Sequence, residues 1–137
     1  MNRFDLQQLA RERIADAEAL LTMGRWSGAY YLAGYAVECG LKACIAKQVN
    51  QYDFPDKALA LKAFTHRLEE LIVLARLHLR RKDDALSSPG LEVNWEIVIQ
   101  WDEASRYRLH PEQEARDLWL AVSNPLDGVF PWIMGHW

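Results

Sequence analysis

WSGAYYLAGYAVECGLKACIAKQV, residues 26–49, is the stretch on which the fold turns. From Trp26 to Ala46 it is almost wholly apolar or small, with Glu38 and Lys42 the only charged residues inside it. A membrane span needs roughly 18 or more apolar residues with few or no charges, and these two interrupt the run. A helix that is apolar nearly all round belongs inside a bundle rather than on its surface. Ala29, Ala33, Ala36, Gly40 and Ala43 follow one another at helical spacing and open one face to the close approach of a neighbour. Tyr31, Tyr35, Leu41 and Ile45 are expected to fill the rest of the core. The predicted helix runs from about Trp26 to Val49.

On its N-terminal side the pattern predicts a helix over about Asp5 to Thr22, with Ala10, Ile14, Ala17 and Leu21 as its apolar stripe and Gly24 as its stop. On the other side, Asn50 to Phe64 reads as a connection containing Pro55, with Lys57 to Ala63 able to form a short helical turn. Thr65 suits the N-cap of a third helix, with Glu69 and Glu70 in its early turns. Leu68, Leu71, Ile72, Ala75 and Leu79 form its inner face, and Arg76, Arg80, Arg81 and Lys82 crowd its end as a solvated basic run, with an RNA-facing patch as the alternative. Ser87-Ser88-Pro89-Gly90 reads as a turn. A fourth helix follows over about Leu91 to Ser105, with Leu91, Trp95, Val98, Ile99 and Asp102 on one side. His110-Pro111 breaks it, and Pro111 starts a fifth helix carrying Ala115, Leu118, Trp119 and Val122 inward. The aromatic tail, with Val129, Phe130, Trp132, Ile133 and Trp137, is expected to pack on the bundle or on a partner. The expectation is one all-α domain over residues 1–137, an up-and-down antiparallel bundle of four to six helices.

With 137 residues the chain suits a single core. A net charge of −3 gives the whole chain no bias toward nucleic acid. The segment Met1 to Asp5 has no apolar signal core, so the protein is expected to be cytoplasmic and not membrane-bound. Cys39 and Cys44, five apart on one helix, point about 140° away from each other and read as buried thiols rather than a disulfide or a metal site. No Gly-rich phosphate loop, paired CxxC or HExxH occurs, and no serine has a nucleophile-elbow context. No metal and no cofactor are expected.

The chemistry-bearing residues are few. Glu38 and Lys42, one turn apart, form the polar pair of the buried helix. Taking either charge out of water alone would cost several kcal/mol, so the pair is either a boundary pair with Lys42 reaching out to water or part of a polar groove. His66, Arg106 and Tyr107 are the residues best placed to join such a groove as ligand contacts. The segment Arg106-Tyr107-Arg108-Leu109-His110 also holds cations and an imidazole suited to clamping phosphate and moving a proton in metal-independent RNA cleavage.

The order of these segments resembles the HEPN family. The second helix, Ala29 through Ala43, has the glutamate, three spacers and Lys-Ala of bacterial HEPN domains. Leu20 to Trp26, Thr65 to Leu71, Trp101 with Arg106-Tyr107, and Gly128 to Ile133 resemble further segments of the family, so that nearly the whole chain is covered. The resemblance implies a helical bundle, often a homodimer, of a kind found in toxin–antitoxin and RNA-processing systems. Some such domains pair with a nucleotidyltransferase or an antitoxin; others bind a nucleotide or RNA, or act as structural subunits. Active members carry an Arg, four to six residues, then a His, with a polar residue after the Arg. Here three residues separate Arg106 from His110, and Tyr107 follows the Arg. The reading is therefore a non-catalytic binding domain, with an endoribonuclease using Arg106 and His110 as the first alternative and a purely structural partner subunit as the second.

Overall fold

A computed structural model describes residues 1–49 and 56–137. Every regular element among them is helical, as the sequence pattern predicts. The elements are α1 (Arg3–Thr22), α2 (Trp26–Ala46), α3 (Lys57–Lys62), α4 (Leu68–Leu74), α5 (His78–Ser87), α6 (Pro89–Val98), a 3-10 turn (Glu103–Tyr107), α7 (Glu112–Ser123) and α8 (Val129–Met134). No described helix is long and apolar enough to cross a membrane.

The first two helices form an αα-hairpin. Asn2 opens α1 with a reciprocal capping box: its side chain accepts from the Asp5 N–H at 2.9 Å, and the Asp5 carboxylate accepts from the Asn2 N–H at 3.0 Å. The helix ends where Gly24 takes a φ of 72°. There the Arg25 N–H donates to the Leu20 carbonyl and the Gly24 N–H to the Leu21 carbonyl, the two bonds of a Schellman cap. Thirteen of the 21 residues of α2 are buried, so α2 is the axis on which the rest assembles. α1, α4, α7, α8 and the 3-10 turn all pack on it. Val37, Leu41, Leu71, Leu118 and Ile133 are among the fully buried side chains, each contributing about 1.5–3 kcal/mol of transfer free energy. α2 stops at Ala46 rather than Val49, because Gln48 and Val49 tighten to i→i+3 bonds on Ile45 and Ala46.

Beyond α2 the helices are shorter and more numerous than four to six. The predicted connection lies partly outside the described residues, at 50–55. α3 follows it, capped by Asp56, whose carboxylate accepts from the Leu59 N–H at 3.1 Å. The predicted third helix is two helices, α4 and α5. The break is a second Schellman cap, in which Leu77 donates to the Ile72 carbonyl and Arg76 to the Val73 carbonyl. Arg76 sits at φ 60°, where glycine is usual. The break resets the helical phase, so Leu79 is 65% exposed instead of joining Leu68, Leu71, Ile72 and Ala75 in the core. It also turns Arg81 inward. Arg81 is buried, pairs with Glu92 and lies over the Trp95 ring at 5.3 Å, so the basic run is not simply a solvated end.

Thr65 does not cap α4, since Arg67 holds the cap position. Ser88 alone separates α5 from α6, with Pro89 in the first turn of α6. The fourth helix ends at Val98 rather than Ser105, and Asp102 is exposed, because the chain leaves the α conformation before the 3-10 turn. Pro111 caps α7 from outside its first turn, and Ala115, Leu118 and Val122 face inward. The tail packs as predicted: Val129, Phe130 and Ile133 are buried, and Trp132 donates its indole N–H to Asp84 at 2.9 Å. Pro131 falls in the first turn of α8, where its missing N–H breaks no bond. All six tryptophans are buried or half-buried within the chain.

Candidate functional site

The fold assembles a polar cluster where α2 meets the start of α4 and the 3-10 turn. Glu38 is only 1% exposed, although it is a carboxylate in the middle of the most apolar helix. Lys42, one turn on, brings its ammonium to 3.7 Å of Glu38 Oε1 and reaches toward solvent with 22% of its side chain exposed. The stronger partner is His66, whose Nδ1 makes a short hydrogen bond to Glu38 Oε1. His66 lies just ahead of α4, in a turn set by Thr65. The Thr65 hydroxyl donates to Glu70 at 2.7 Å and accepts the Arg67 N–H at 3.2 Å. The other ring nitrogen, Nε2, faces Glu103 Oε2 at 3.1 Å, on the 3-10 turn. A carboxylate only accepts, so the imidazolium can donate to both acids while the neutral ring donates to one. The result is a line of three groups from the buried centre of α2 to the surface.

That line emerges in a groove of about 680 Å³ between the start of α4 and the segment that follows α6. His66, Glu69, Asp102 and Glu103 stand along it, and Leu68, Ile99 and Trp101 supply apolar lining. Trp101 is 3% exposed and its indole N–H has no acceptor among the described residues. The ring rests on the backbone of α2 at Gly34, where a Cβ would come within 2.3 Å of it, and it stacks on Tyr31 with centroids 5.9 Å apart. Gly34 is thus required by the close approach of the ring and not by any backbone angle.

Of the five predicted ligand contacts, Glu38, Lys42 and His66 meet. Arg106 and Tyr107 stand apart from the groove. The Arg106 guanidinium lies over the Tyr107 ring at 4.8 Å, and hydrogen bonds to the Tyr107 and Tyr31 hydroxyls push it further toward the charged form. Its link to α2 is through Tyr31. Tyr107 is 78% exposed.

His110, the second half of the ribonuclease alternative, is a packed residue. Its ring is buried and stacks on Tyr30 with centroids 3.8 Å apart and 16° between planes. Nδ1 faces Glu114 at 3.1 Å and Nε2 faces the Ser105 carbonyl at 3.3 Å. Its backbone N–H donates to Ser27 Oγ at 2.8 Å, tying the entry to α7 onto the start of α2. No hydrogen bond joins Arg106 to His110 among the described residues.

Sequence reasoning missed Glu103, Glu69 and the groove role of Asp102. Glu103 lies 65 residues from Glu38 and in a turn predicted as helix, so no local spacing pointed to it. Cys39 and Cys44 are free and buried, and burial pushes both thiols up to about 11. They are therefore protonated at neutral pH and poor nucleophiles. Comparison with protein-family models, with curated proteins and with solved structures found no match.

Proposed function

We propose that this chain is a HEPN-like helical domain that binds a nucleotide, RNA or a partner protein without cleaving RNA, and that the groove over His66 is its binding surface. The observation that carries the reading is the line from Glu38 through His66 to Glu103. A buried carboxylate is expensive, and an apolar side chain of similar size would serve the fold as well or better. What Glu38 achieves instead is to hold an imidazole, nearly half exposed, at the floor of an open groove. That is an arrangement for presenting a polar group to something outside the chain. Assembly as a homodimer and pairing with a nucleotidyltransferase or antitoxin belong to the same proposal, on the strength of the resemblance.

The endoribonuclease alternative draws no comparable support. His110 would need a ring nitrogen open to substrate, and both of its nitrogens are engaged in a buried setting. The structural-subunit alternative is not favoured by a groove with a polar line running into it.

Photo-cross-linking tests the reading in the cell. Gln100→benzoylphenylalanine places a cross-linker in the groove, and Glu12→benzoylphenylalanine places one on the exposed side of α1. Adducts should form at position 100, be absent at position 12, and be lost when His66→Ala is added. Equal labelling at both positions, or none at 100, defeats the groove assignment. Separately, purified protein should leave RNA intact in EDTA. Cleavage abolished by Arg106→Ala and by His110→Ala would restore the enzyme reading.

A further inference from the structure

The charges along the groove narrow the ligand. We infer that the groove receives a cationic side chain, an arginine above all, carried on an extended segment of a different protein; this rests on the groove being the binding surface proposed above. Three carboxylates stand along it, Glu69 on α4 and Asp102 and Glu103 after α6, against His66 and Arg67. His66 is anchored from below by Glu38, and Arg67 lies beside Glu70 at 3.5 Å in an exposed surface pair, so one imidazole and one guanidinium stand against three carboxylates. Asp102 is held only by Arg108, in a surface pair with both side chains about half exposed, and such pairs exchange readily. Among the described residues no ion pair engages Glu69. A phosphate entering here would face an excess of negative charge. A guanidinium can take the two oxygens of one of these carboxylates with its planar fork and keep further donors for another, which the single point of an ammonium cannot.

A second observation is independent of charge. Trp101 lines the same groove, is almost fully buried, and has an indole N–H without an acceptor among the described residues. Buried donors in folded proteins are nearly always paired. The main-chain carbonyl of a bound extended segment would supply an oxygen to this N–H on drawing the ring away from its seat on Gly34. Leu68 and Ile99 offer apolar surface for the methylene stem of the same arginine. The groove therefore asks for a cation, an aliphatic stem and a carbonyl together. A basic residue in an extended peptide carries all three, and a nucleic acid does not.

The test follows the assigned indole N–H signal of Trp101 in nitrogen-15 spectra of the whole chain. Three probes are titrated: an acetylated, amidated pentapeptide with arginine between leucines, the same peptide with citrulline in place of arginine, and an oligouridylate. The arginine peptide should move the Trp101 signal saturably. The double variant Asp102→Asn/Glu103→Gln should weaken that binding about tenfold or more, as expected for losing charge-assisted hydrogen bonds. Both of those carboxylates are about half exposed, so its melting temperature should stay near that of the parent. Equal binding of the citrulline peptide, or a Trp101 response to oligouridylate alone, overturns the cation assignment while leaving the groove a binding surface. A silent signal with all three probes also overturns it, and the cross-linking at position 100 then decides separately whether the groove binds anything.

Discussion

His66 and His110 are built as inverses of each other. At His66 the carboxylate is sealed in the core and the imidazole is held out toward the groove. At His110 the imidazole is sealed against Tyr30 and the carboxylate, Glu114, is about half exposed. Both are histidine–carboxylate pairs; the first spans α2 and a later segment directly, and the second reaches α2 through the stacking of His110 on Tyr30. The difference is which member lost its water. A sealed imidazole with both nitrogens engaged is a strut between elements. An imidazole anchored from beneath by a sealed acid has its outer nitrogen on a half-exposed partner, Glu103, that a ligand can displace. The spacing of Arg106 and His110 drew attention to the strut, whereas the presenting pair is 28 residues apart in the chain.

Replacing the strut should therefore have the largest effect on stability. His110→Ala removes the stacking on Tyr30, two ring hydrogen bonds and the volume of a buried ring. We expect a loss of about 3 kcal/mol and a fall in melting temperature of roughly 10 °C, with binding in the groove unchanged. His66→Ala alone would strand the sealed Glu38 carboxylate, so the comparison uses Glu38→Met/His66→Ala. That double variant should shift stability by no more than about 1 kcal/mol because no buried charge is left unpaired, yet it should remove groove binding. Thermal melts of the two variants side by side check the contrast; equal losses would erase it.

The next effect comes from the groove floor. Gly34→Ala places a methyl within 2.3 Å of the Trp101 ring, and the ring has to leave its seat on α2 and its stacking on Tyr31. Overpacking of this kind costs about 2 kcal/mol. The aromatic circular dichroism should change and the groove should lose affinity, while the His110 side of the bundle keeps its hydrogen-exchange protection. A variant as stable as the parent would mean that the contact is not close.

How much of this could be read beforehand follows from which signals are local. The all-α fold, the buried α2, the α1 stripe and the packed tail were legible because helical periodicity and composition carry them. The Glu38–Lys42 pair was legible because a charge inside a greasy helix stands out. His66 was named only as a residue able to join, since nothing local says that the turn at Thr65 aims its ring at α2. The split of the third helix was not legible, because its Schellman cap has Arg76 where the usual glycine would have announced it. Glu103 was hidden by the same kind of error, a continuous helix assumed where the chain leaves the α conformation after Val98. Asp102 was assigned to the buried side for that reason.

A smaller stability effect, paired with a large functional one, comes from Glu38→Met. The methionine fills nearly the same space without a charge, and the partners have somewhere to go: Lys42 is already partly in water and His66 is nearly half exposed. Replacing a buried ion by an apolar residue of like volume is commonly neutral or stabilising, so stability should stay within about 1 kcal/mol of the parent or rise. Cross-linking at position 100 should nevertheless fall sharply, because the imidazole has lost its anchor. A large destabilisation would make Glu38 a structural requirement and remove the argument that it is kept for presentation.

The smallest effect separates the groove from the helix that carries its wall. α1 and α4 end in the same Schellman cap, with Gly24 in one and Arg76 in the other. A side chain in the left-handed region costs about 1–2 kcal/mol, and glycine returns roughly 0.5–1 kcal/mol of that through its greater freedom when unfolded. Arg76→Gly should therefore stabilise the chain by about 0.5 kcal/mol, measured by urea denaturation, and Gly24→Ala should destabilise it by about 1 kcal/mol. Arg76 is exposed and makes no ion pair among the described residues, so no other contact is lost. Neither change touches His66 or His110. Groove binding should be the same in Arg76→Gly as in the parent; if it rises with stability, the imidazole is presented by the rigidity of α4 and not by its anchor on Glu38.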